Sequence, residues 1–255
     1  MAELVYKPVI TASRFMFKAL GLKIRLSGLE NVPADGGVVL ASNHISYLDF
    51  IFVGLAPWTA RRRLTRFMAK DAVFTHRISG PLMRDMQHIP VDREAGSASL
   101  RAALKALKAG EIVGLFPEAT ISQSFTVKEV KSGAVRMAAA ARAPVLPVAV
   151  WGTHKLWTKG HKRRILGARG TTILIRVGEP IMVGRKDDMD AASEQLRATI
   201  QEMLAALQAE HPETMDPGPH AWWLPAHLGG SAPTPEQARV LDQAESAARA
   251  ARRGV

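Results

Sequence analysis

The chain alternates short apolar, β-rich runs with helical stretches, and this alternation constrains its fold more than any other feature. From Val38 onward, "VVLAS", "LTRFMA", "HIPV", "IVGLF", "VLPVAV" and "TILIRV" read as strands. Helices are expected near residues 47–56, 78–86, 97–109, 130–141 and 189–210. In "SASLRAALKALKAG", Leu100, Ala103, Leu104 and Leu107 recur on one helical face and Gly110 closes the helix. The pattern predicts a layered α/β fold, with a mostly parallel central sheet flanked by helices. A length of 255 residues is ample for a buried core, and 47% hydrophobic residues exclude disorder for most of it. No internal repeat is visible.

The two ends differ from this body. Residues 1–20 predict an amphipathic helix: Val5, Val9, Ala12, Met16 and Leu20 share a stripe, with Tyr6 and Phe17 beside it. Lys7, Arg14 and Lys18 fall on the opposite side, and Pro8 fits the first turn. Lys7 and Arg14 break the apolar run, so it does not read as a signal peptide. No segment reaches the roughly 18–20 uninterrupted apolar residues of a spanning helix. Two readings of residues 1–20 stay open: a surface helix packed on its own domain, or an interfacial anchor on anionic lipid. The α/β domain is expected over 21–211 and a C-terminal extension over 212–255. The extension is crowded with proline and glycine, and its Trp222 and Trp223 are expected to cover apolar surface. It ends in a helix opening at "TPEQ", with Thr234 as cap and Gln237 completing a capping box.

The formal charge is +11, and it is uneven. Residues 210–255 carry six acidic and four basic side chains, which leaves +13 on residues 1–209. So basic a body calls for an anionic partner: nucleic acid, a membrane surface or a phosphorylated substrate. The chain contains no cysteine, so disulfides, thiolate catalysis and cysteine metal sites are excluded. "RRRLTR" (Arg61 to Arg66) and "HKRR" (His161 to Arg164) read equally as solvated loops or as contacts to headgroups or phosphates.

Three polar clusters each follow a strand-like run: "NHISYLD" after "VVLAS", "DREAG" after "HIPV", and "PEATISQSF" after "IVGLF". If the strands are parallel, His44, Asp49, Arg93 and Glu118 converge on the carboxyl edge of the sheet, where such folds bind ligands. Ser46 and Asp49 also fit an S-x-x-D capping box, in which Asp49 would satisfy backbone donors. The two roles are compatible, because an aspartate in the first helical turn faces back toward His44. Histidine is the commonest general base, and an aspartate fixes its tautomer. There is no Gly-x-Ser-x-Gly, H-E-x-x-H, Walker A or G-x-G-x-x-G. A His–Asp pair without a protein nucleophile suits activation of a hydroxyl on the substrate itself.

"NHISYLD" resembles the Asn-His-x-Ser-x-x-Asp block of the glycerolipid acyltransferases, those akin to lysophosphatidic acid acyltransferase. "HIPVDR" is similar to that family's second block, "FPEATIS" to its third (Phe-Pro-Glu-Gly-Thr-Arg-Ser) and "VLPVAV" to its fourth, all in order from Asn43 to Val150. The resemblance implies His44 as general base and Asp49 as its orienter. It places Asn43, Ser46, Arg93, Glu118, Ala119 and Thr120 around the acceptor pocket, shaped by Pro147. It implies no metal and no bound cofactor. Its partners are a membrane phospholipid surface, a lysophospholipid acceptor, and acyl-CoA or acyl carrier protein as donor, on the cytoplasmic side of the cell membrane with peripheral or monotopic attachment. Lys7, Arg14 and Lys18 are the candidate membrane contacts.

Three positions depart from the family blocks: Gln87 and Ala119 stand where it has glycine, and Ile121 stands where it has arginine. Lys128, Lys131 and Arg136 are candidate substitutes for the lost phosphate ligand, or else a solvated helix face. The expected reaction is acyl transfer from a thioester to the free hydroxyl of lysophosphatidate. The alternatives are acylation of glycerol 3-phosphate or another lysophospholipid, and hydrolysis. A basic nucleic-acid-binding protein is the rival from another class; the sequence shows no binding motif for it, and the aromatics do not interleave with the arginines.

Overall fold

The computed structural model describes residues 2–77, 79–91, 96–214 and 221–253. In chain order the elements are α1 (Ala2–Ala19), β1 (Lys23–Ser27), β2 (Val38–Ser42), α2 (Asp49–Val53), α3 (Leu55–Arg61), β3 (Thr65–Lys70), α4 (Asp71–Thr75) and α5 (Ser79–Asp85). Next come β4 (Ile89–Val91), α6 (Gly96–Lys108), β5 (Ile112–Leu115), α7 (Gly133–Ala141), β6 (Val145–Trp151), β7 (Thr172–Val177), α8 (Met189–Glu210) and α9 (Pro235–Arg253). The strands form one sheet in the order β1-β7-β6-β2-β5-β3-β4. Strands β6, β2, β5, β3 and β4 are mutually parallel. β7 runs antiparallel to β6, and β1 pairs parallel with β7.

The apolar runs are a consequence of the layering. Both faces of a central parallel strand are covered, so both phases of the two-residue period must be apolar. In β2, Val38 and Leu40 enter the core beneath α1–α3, while Val39 and Ala41 enter the core beneath α6–α8. β6 divides the same way: Leu146, Val148 and Val150 to one side, Val145, Ala149 and Trp151 to the other. β1 was not expected. Its "KIRLS" alternates exposed and half-buried residues at the sheet edge, and so lacks the apolar density of the inner strands.

Several local expectations shift. The helix expected over 47–56 is two helices joined at Gly54. On α6, Leu100 is exposed and Ala103, Ala106 and Leu107 make the buried face. On α1, the face turned to the body is Tyr6, Phe17 and Leu20, with Phe17 stacked on Phe52 of α2 at 4.5 Å. Ala12 and Met16, members of the apolar stripe expected from the sequence, point outward with Phe15. In the C-terminal stretch, Ala221, Trp223, Leu224 and Ala232 join the core. α9 begins as the sequence indicates: Thr234 and Gln237 exchange hydrogen bonds of 2.9 and 3.3 Å.

Two backbone positions bear on stability. Gln87, where the resembling family has glycine, sits in the left-handed region at φ 55°, which side chains other than glycine enter at a cost. Gly152, which turns the chain out of β6, has φ 96°, and a Cβ there would lie 2.2 Å from the Thr172 carbonyl oxygen. Gln87→Gly should therefore keep or raise stability by up to about 1 kcal/mol, whereas Gly152→Ala should cost about 2–3 kcal/mol. Urea unfolding midpoints of the two variants check this.

Two buried histidines set an acid limit. Burial, and then the nearby Arg66 charge, lower His88 from 6.5 to about 4. Burial lowers His154 to about 3, against the opposing pull of its hydrogen bond to the Trp223 carbonyl. The unfolded chain takes up these protons as pH falls below 6.5, and the folded chain does not until about 4. The two histidines should thus remove a few kcal/mol of stability as pH drops from about 6.5 to 4, offset in part by Glu118, whose raised carboxyl holds its proton in the folded chain over most of that range. Chemical denaturation across that range should show this slope, and His154→Leu should show a shallower one.

Candidate active site

β2 ends at Ser42, and three residues that follow it, His44, Ile45 and Ser46, are tied down by one buried carboxylate. Asp49 opens α2 and is fully buried. Its Oδ2 accepts from the Ile45 and Ser46 backbone N–H groups, both at 2.7 Å, and lies 3.0 Å from His44 Nδ1. Its Oδ1 accepts from the Thr153 hydroxyl at 2.6 Å. The capping reading and the dyad reading are therefore the same structure: the carboxylate that closes the turn also orients the imidazole. The reciprocal half of the box differs from expectation, because Ser46 Oγ accepts from Leu48 N at 3.1 Å and donates to the Trp157 carbonyl at 2.6 Å.

With Nδ1–H directed at Asp49, His44 presents Nε2 as a lone-pair acceptor. The ring stacks on Phe116 at 4.2 Å, with planes 17° apart. The side chain stays 20% exposed. Phe116 ends the run that β5 begins, so the strand that delivers the third block also fixes the imidazole plane.

Glu118 comes from that block, and both of its oxygens are engaged. Oε1 accepts from the His44 N–H at 2.8 Å and Oε2 from the Lys128 N–H at 3.0 Å. Burial pushes the carboxyl up to about 8, against the pull of the Lys128 and His44 backbone donors and the Lys128 charge. Glu118 thus ties the His44 loop to the 118–128 loop and is spent on the backbone. Asn43 acts likewise: it is buried, and its amide donates to the Val150 carbonyl at 3.0 Å and accepts from the Val150 N–H at 2.8 Å, bridging β2 to β6. As placed, the polar side-chain atoms of Asn43, Ser46 and Glu118 are engaged by the chain's own backbone.

Ala119 lies at φ 61°, the second site where a side chain occupies the conformation that the resembling family gives to glycine. Thr120 Oγ1 accepts from Lys128 Nζ. Ile121 is buried, so an arginine at that position would place its stem in the core. Lys131 and Arg136 flank the start of α7 with exposed side chains, Arg136 donating to Ser132 Oγ at 3.0 Å. Arg93 lies outside the described residues. Lys7, Arg14 and Lys18 are all exposed on α1.

The "RRRLTR" run is largely consumed by the fold. Arg63 donates to the Pro33 carbonyl at 2.9 Å and the Gly110 carbonyl at 2.7 Å, and Arg66 pairs with Glu111. Thr153, which holds the far oxygen of Asp49, was not anticipated. It comes just after β6 in "WGTHK", so the rule that flagged the other clusters, polar residues just past an apolar strand, applied to it as well. Lys159 and Asp242, which meet beside Lys128, left no such signal.

The arrangement offers a partly exposed imidazole held in place by a buried carboxylate. The acyltransferase family model matches residues 23–151, half of the chain, spanning the dyad, the third block and all of β6. The chain is 35% identical over 167 residues to the 1-acyl-sn-glycerol-3-phosphate acyltransferase of Bacillus subtilis, a match covering 60% of this chain and 80% of that protein. It is 28% identical over 162 residues to the enzyme of the same name from Borreliella burgdorferi, covering 62% of this chain and 61% of that one. In fold it is similar to the crystal structure of the 1-acyl-sn-glycerophosphate (LPA) acyltransferase PlsC from Thermotoga maritima, with a TM-score of 0.64 over 82% of each chain at 22% identity. A chain that carries this dyad on this sheet, and matches the family model from its first strand to the end of β6, belongs to the acyltransferase family.

Proposed function

We propose that this protein transfers a fatty acyl group from a thioester, acyl-CoA or acyl carrier protein, to the free hydroxyl of lysophosphatidate. The observation that carries the reading is the His44–Asp49 pair, with Nδ1 committed to the carboxylate and Nε2 open. His44 Nε2 takes the hydroxyl proton as the alcohol oxygen attacks the thioester carbonyl. The C–S bond then breaks, and the imidazolium Nε2–H returns the proton to the departing thiolate. The products are an ester and a free thiol. Asp49, 3.0 Å from Nδ1, stabilises the transient imidazolium. Assistance of this kind typically contributes about 10²–10⁴-fold, and alignment of the two bound substrates supplies the remainder.

The choice of acceptor rests on the Bacillus and Borreliella relatives and on the basic body. Among the described residues no helix is long and apolar enough to cross a membrane. The reading includes peripheral or monotopic attachment at the cytoplasmic face, and α1 supports the attachment itself. The helix uses Tyr6, Phe17 and Leu20 on its own domain, and still turns Phe15 (75% exposed) and Met16 outward beside Lys7, Arg14 and Lys18. A helix that packs on its body and keeps a second apolar face with a basic flank suits the headgroup boundary of anionic lipid.

His44→Ala should abolish transfer with the unfolding midpoint nearly unchanged. Asp49→Asn should lose at least roughly 10²-fold in kcat, and it should also lose stability because two backbone donors lose a charged acceptor. Products are identified by mass after incubation with oleoyl-CoA, with and without lysophosphatidate. Free fatty acid formed at the same rate in both would mean hydrolysis, and full activity in His44→Ala would remove the dyad from the chemistry.

The membrane reading predicts that Phe15→Ser combined with Met16→Ser weakens sedimentation with phosphatidylglycerol vesicles about tenfold or more, with no loss of stability. Charge reversal at Lys7, Arg14 and Lys18 should cost about two decades of binding. Unchanged sedimentation in both would place the attachment outside α1.

A further inference from the structure

α9 is held to the body in an unusual way. A helix of 19 residues in a globular domain ordinarily buries an apolar stripe, since isolated helices of that length are marginal in water. Among the described side chains of α9, Ala238 alone is buried, and Asp242 and Glu245 are half-buried. These three share one face at spacings of four and three residues. Val240 and Leu241 are exposed, at 62% and 43%. The helix is docked chiefly by its two carboxylates.

They dock on a pair of lysines, Lys128 and Lys159. Asp242 Oδ2 accepts from Lys128 Nζ at 2.9 Å, and Oδ1 accepts from Lys159 Nζ. Lys159 Nζ also lies 3.0 Å from Glu245 Oε2. Lys128 Nζ donates in addition to the Thr120 hydroxyl, and the Lys128 backbone shares the Glu118 carboxylate with the His44 backbone. The Lys159 side chain is only 10% exposed. Burial would lower its pKa, yet its hydrogen bonds to Asp242 and Glu245 hold it above the ordinary lysine value, while the two lysines hold Asp242 below the ordinary aspartate value despite burial. Two ammonium groups and a hydroxyl thus converge in one place, and the backbone of one of the lysines, Lys128, is joined to the His44 backbone through Glu118. No arginine from the third block serves this region, since Ile121 is buried where the family block has one.

We infer that Lys128, Lys159 and Thr120 form a seat for a phosphate monoester, and that Asp242 of α9 occupies this seat as an internal stand-in until the acceptor's phosphate displaces it. This seat presupposes the proposed transfer to lysophosphatidate. Two oxygens of a phosphate monoester present nearly the bite of a carboxylate and carry more charge. Because apolar contact contributes little to holding α9, exchanging the carboxylates for phosphate releases the helix at small cost.

The test has two arms. In the first, steady-state kinetics vary lysophosphatidate at saturating oleoyl-CoA, and then the reverse. If the docked state holds about nine-tenths of the molecules, Asp242→Asn should lower the acceptor KM about tenfold at little changed kcat. Lys159→Ala should raise it by about tenfold or more. In the second arm, hydrogen exchange of residues 235–253 is followed in the wild-type chain with glycerol 3-phosphate or glycerol. Exchange should rise with the phosphate ester alone, and Asp242→Asn should bind glycerol 3-phosphate more tightly by calorimetry. If Asp242→Asn only lowers the melting temperature, with KM unchanged and no exchange response, the contact is a permanent anchor and the inference fails. A KM change confined to oleoyl-CoA would assign the seat to the donor's phosphate and overturn the acceptor assignment. Absence of all transferase activity, with tight glycerol 3-phosphate binding and release of α9 intact, would overturn the acyltransfer reading and leave the seat standing.

Discussion

The Asp49 carboxylate is the point on which the site depends. It is fully buried, and it is surrounded by donors from two segments: the backbone at Ile45 and Ser46, the His44 ring, and the Thr153 hydroxyl 104 positions further along the chain. A buried charge with fewer partners would be strongly destabilising. Here each partner also performs a structural task. The backbone donors close the turn after β2, Thr153 joins that turn to the end of β6, and the imidazole is held at one tautomer. The catalytic geometry and the local fold are stabilised by the same hydrogen bonds, so neither can be loosened alone.

A second carboxylate repeats the device one loop away. Glu118 spans the His44 and Lys128 backbones, so the end of β2 and the loop after β5 move as one piece. Asn43 does the same between β2 and β6 through Val150. Three adjacent parallel strands, β5, β2 and β6, are therefore cross-linked at their carboxyl ends by side chains that look, in the sequence, like ligand-binding residues. Their polarity is required because the loop backbones leaving a buried sheet edge have donors and acceptors with no strand partner.

Legibility depended on the same physics. The inner strands were readable because burial on both faces makes them continuously apolar, and the convergence of His44 and Glu118 came from parallel pairing alone. β1 was not readable, since an edge strand with lysine and arginine in alternate positions carries no such density. The face of α1 was misplaced because Val5, Val9, Ala12 and Met16 and the pair Tyr6 and Phe17 are both apolar sets. The aromatic set won, through the Phe17–Phe52 stack. Roles within the site were less legible than its place. The sequence puts Asn43, Ser46 and Glu118 at the strand ends, but whether such a side chain faces a ligand or a neighbouring backbone depends on where a remote segment passes. Val150, Trp157 and Lys128 are those segments.

In the Lys128–Lys159 pair, positive charge has moved to a different supporting element, and its selectivity has changed with it. An arginine on the third-block loop would present a planar fork, which selects two oxygens of fixed geometry and stays charged in any environment. With Ile121 turned into the core, positive charge reaches the same neighbourhood from two lysines on separate loops. Ammonium groups are point charges with rotatable donors, and they discriminate poorly between a carboxylate and a phosphate of similar bite. That tolerance allows an aspartate from the chain's own C-terminal helix to sit where a substrate anion would. An arginine fork would also pair with an aspartate, but bidentately, and the bond would be harder to exchange. Weak selectivity between the two anions, combined with a helix that buries almost nothing apolar, is the physical condition for a contact that closes the site at rest and yields to substrate.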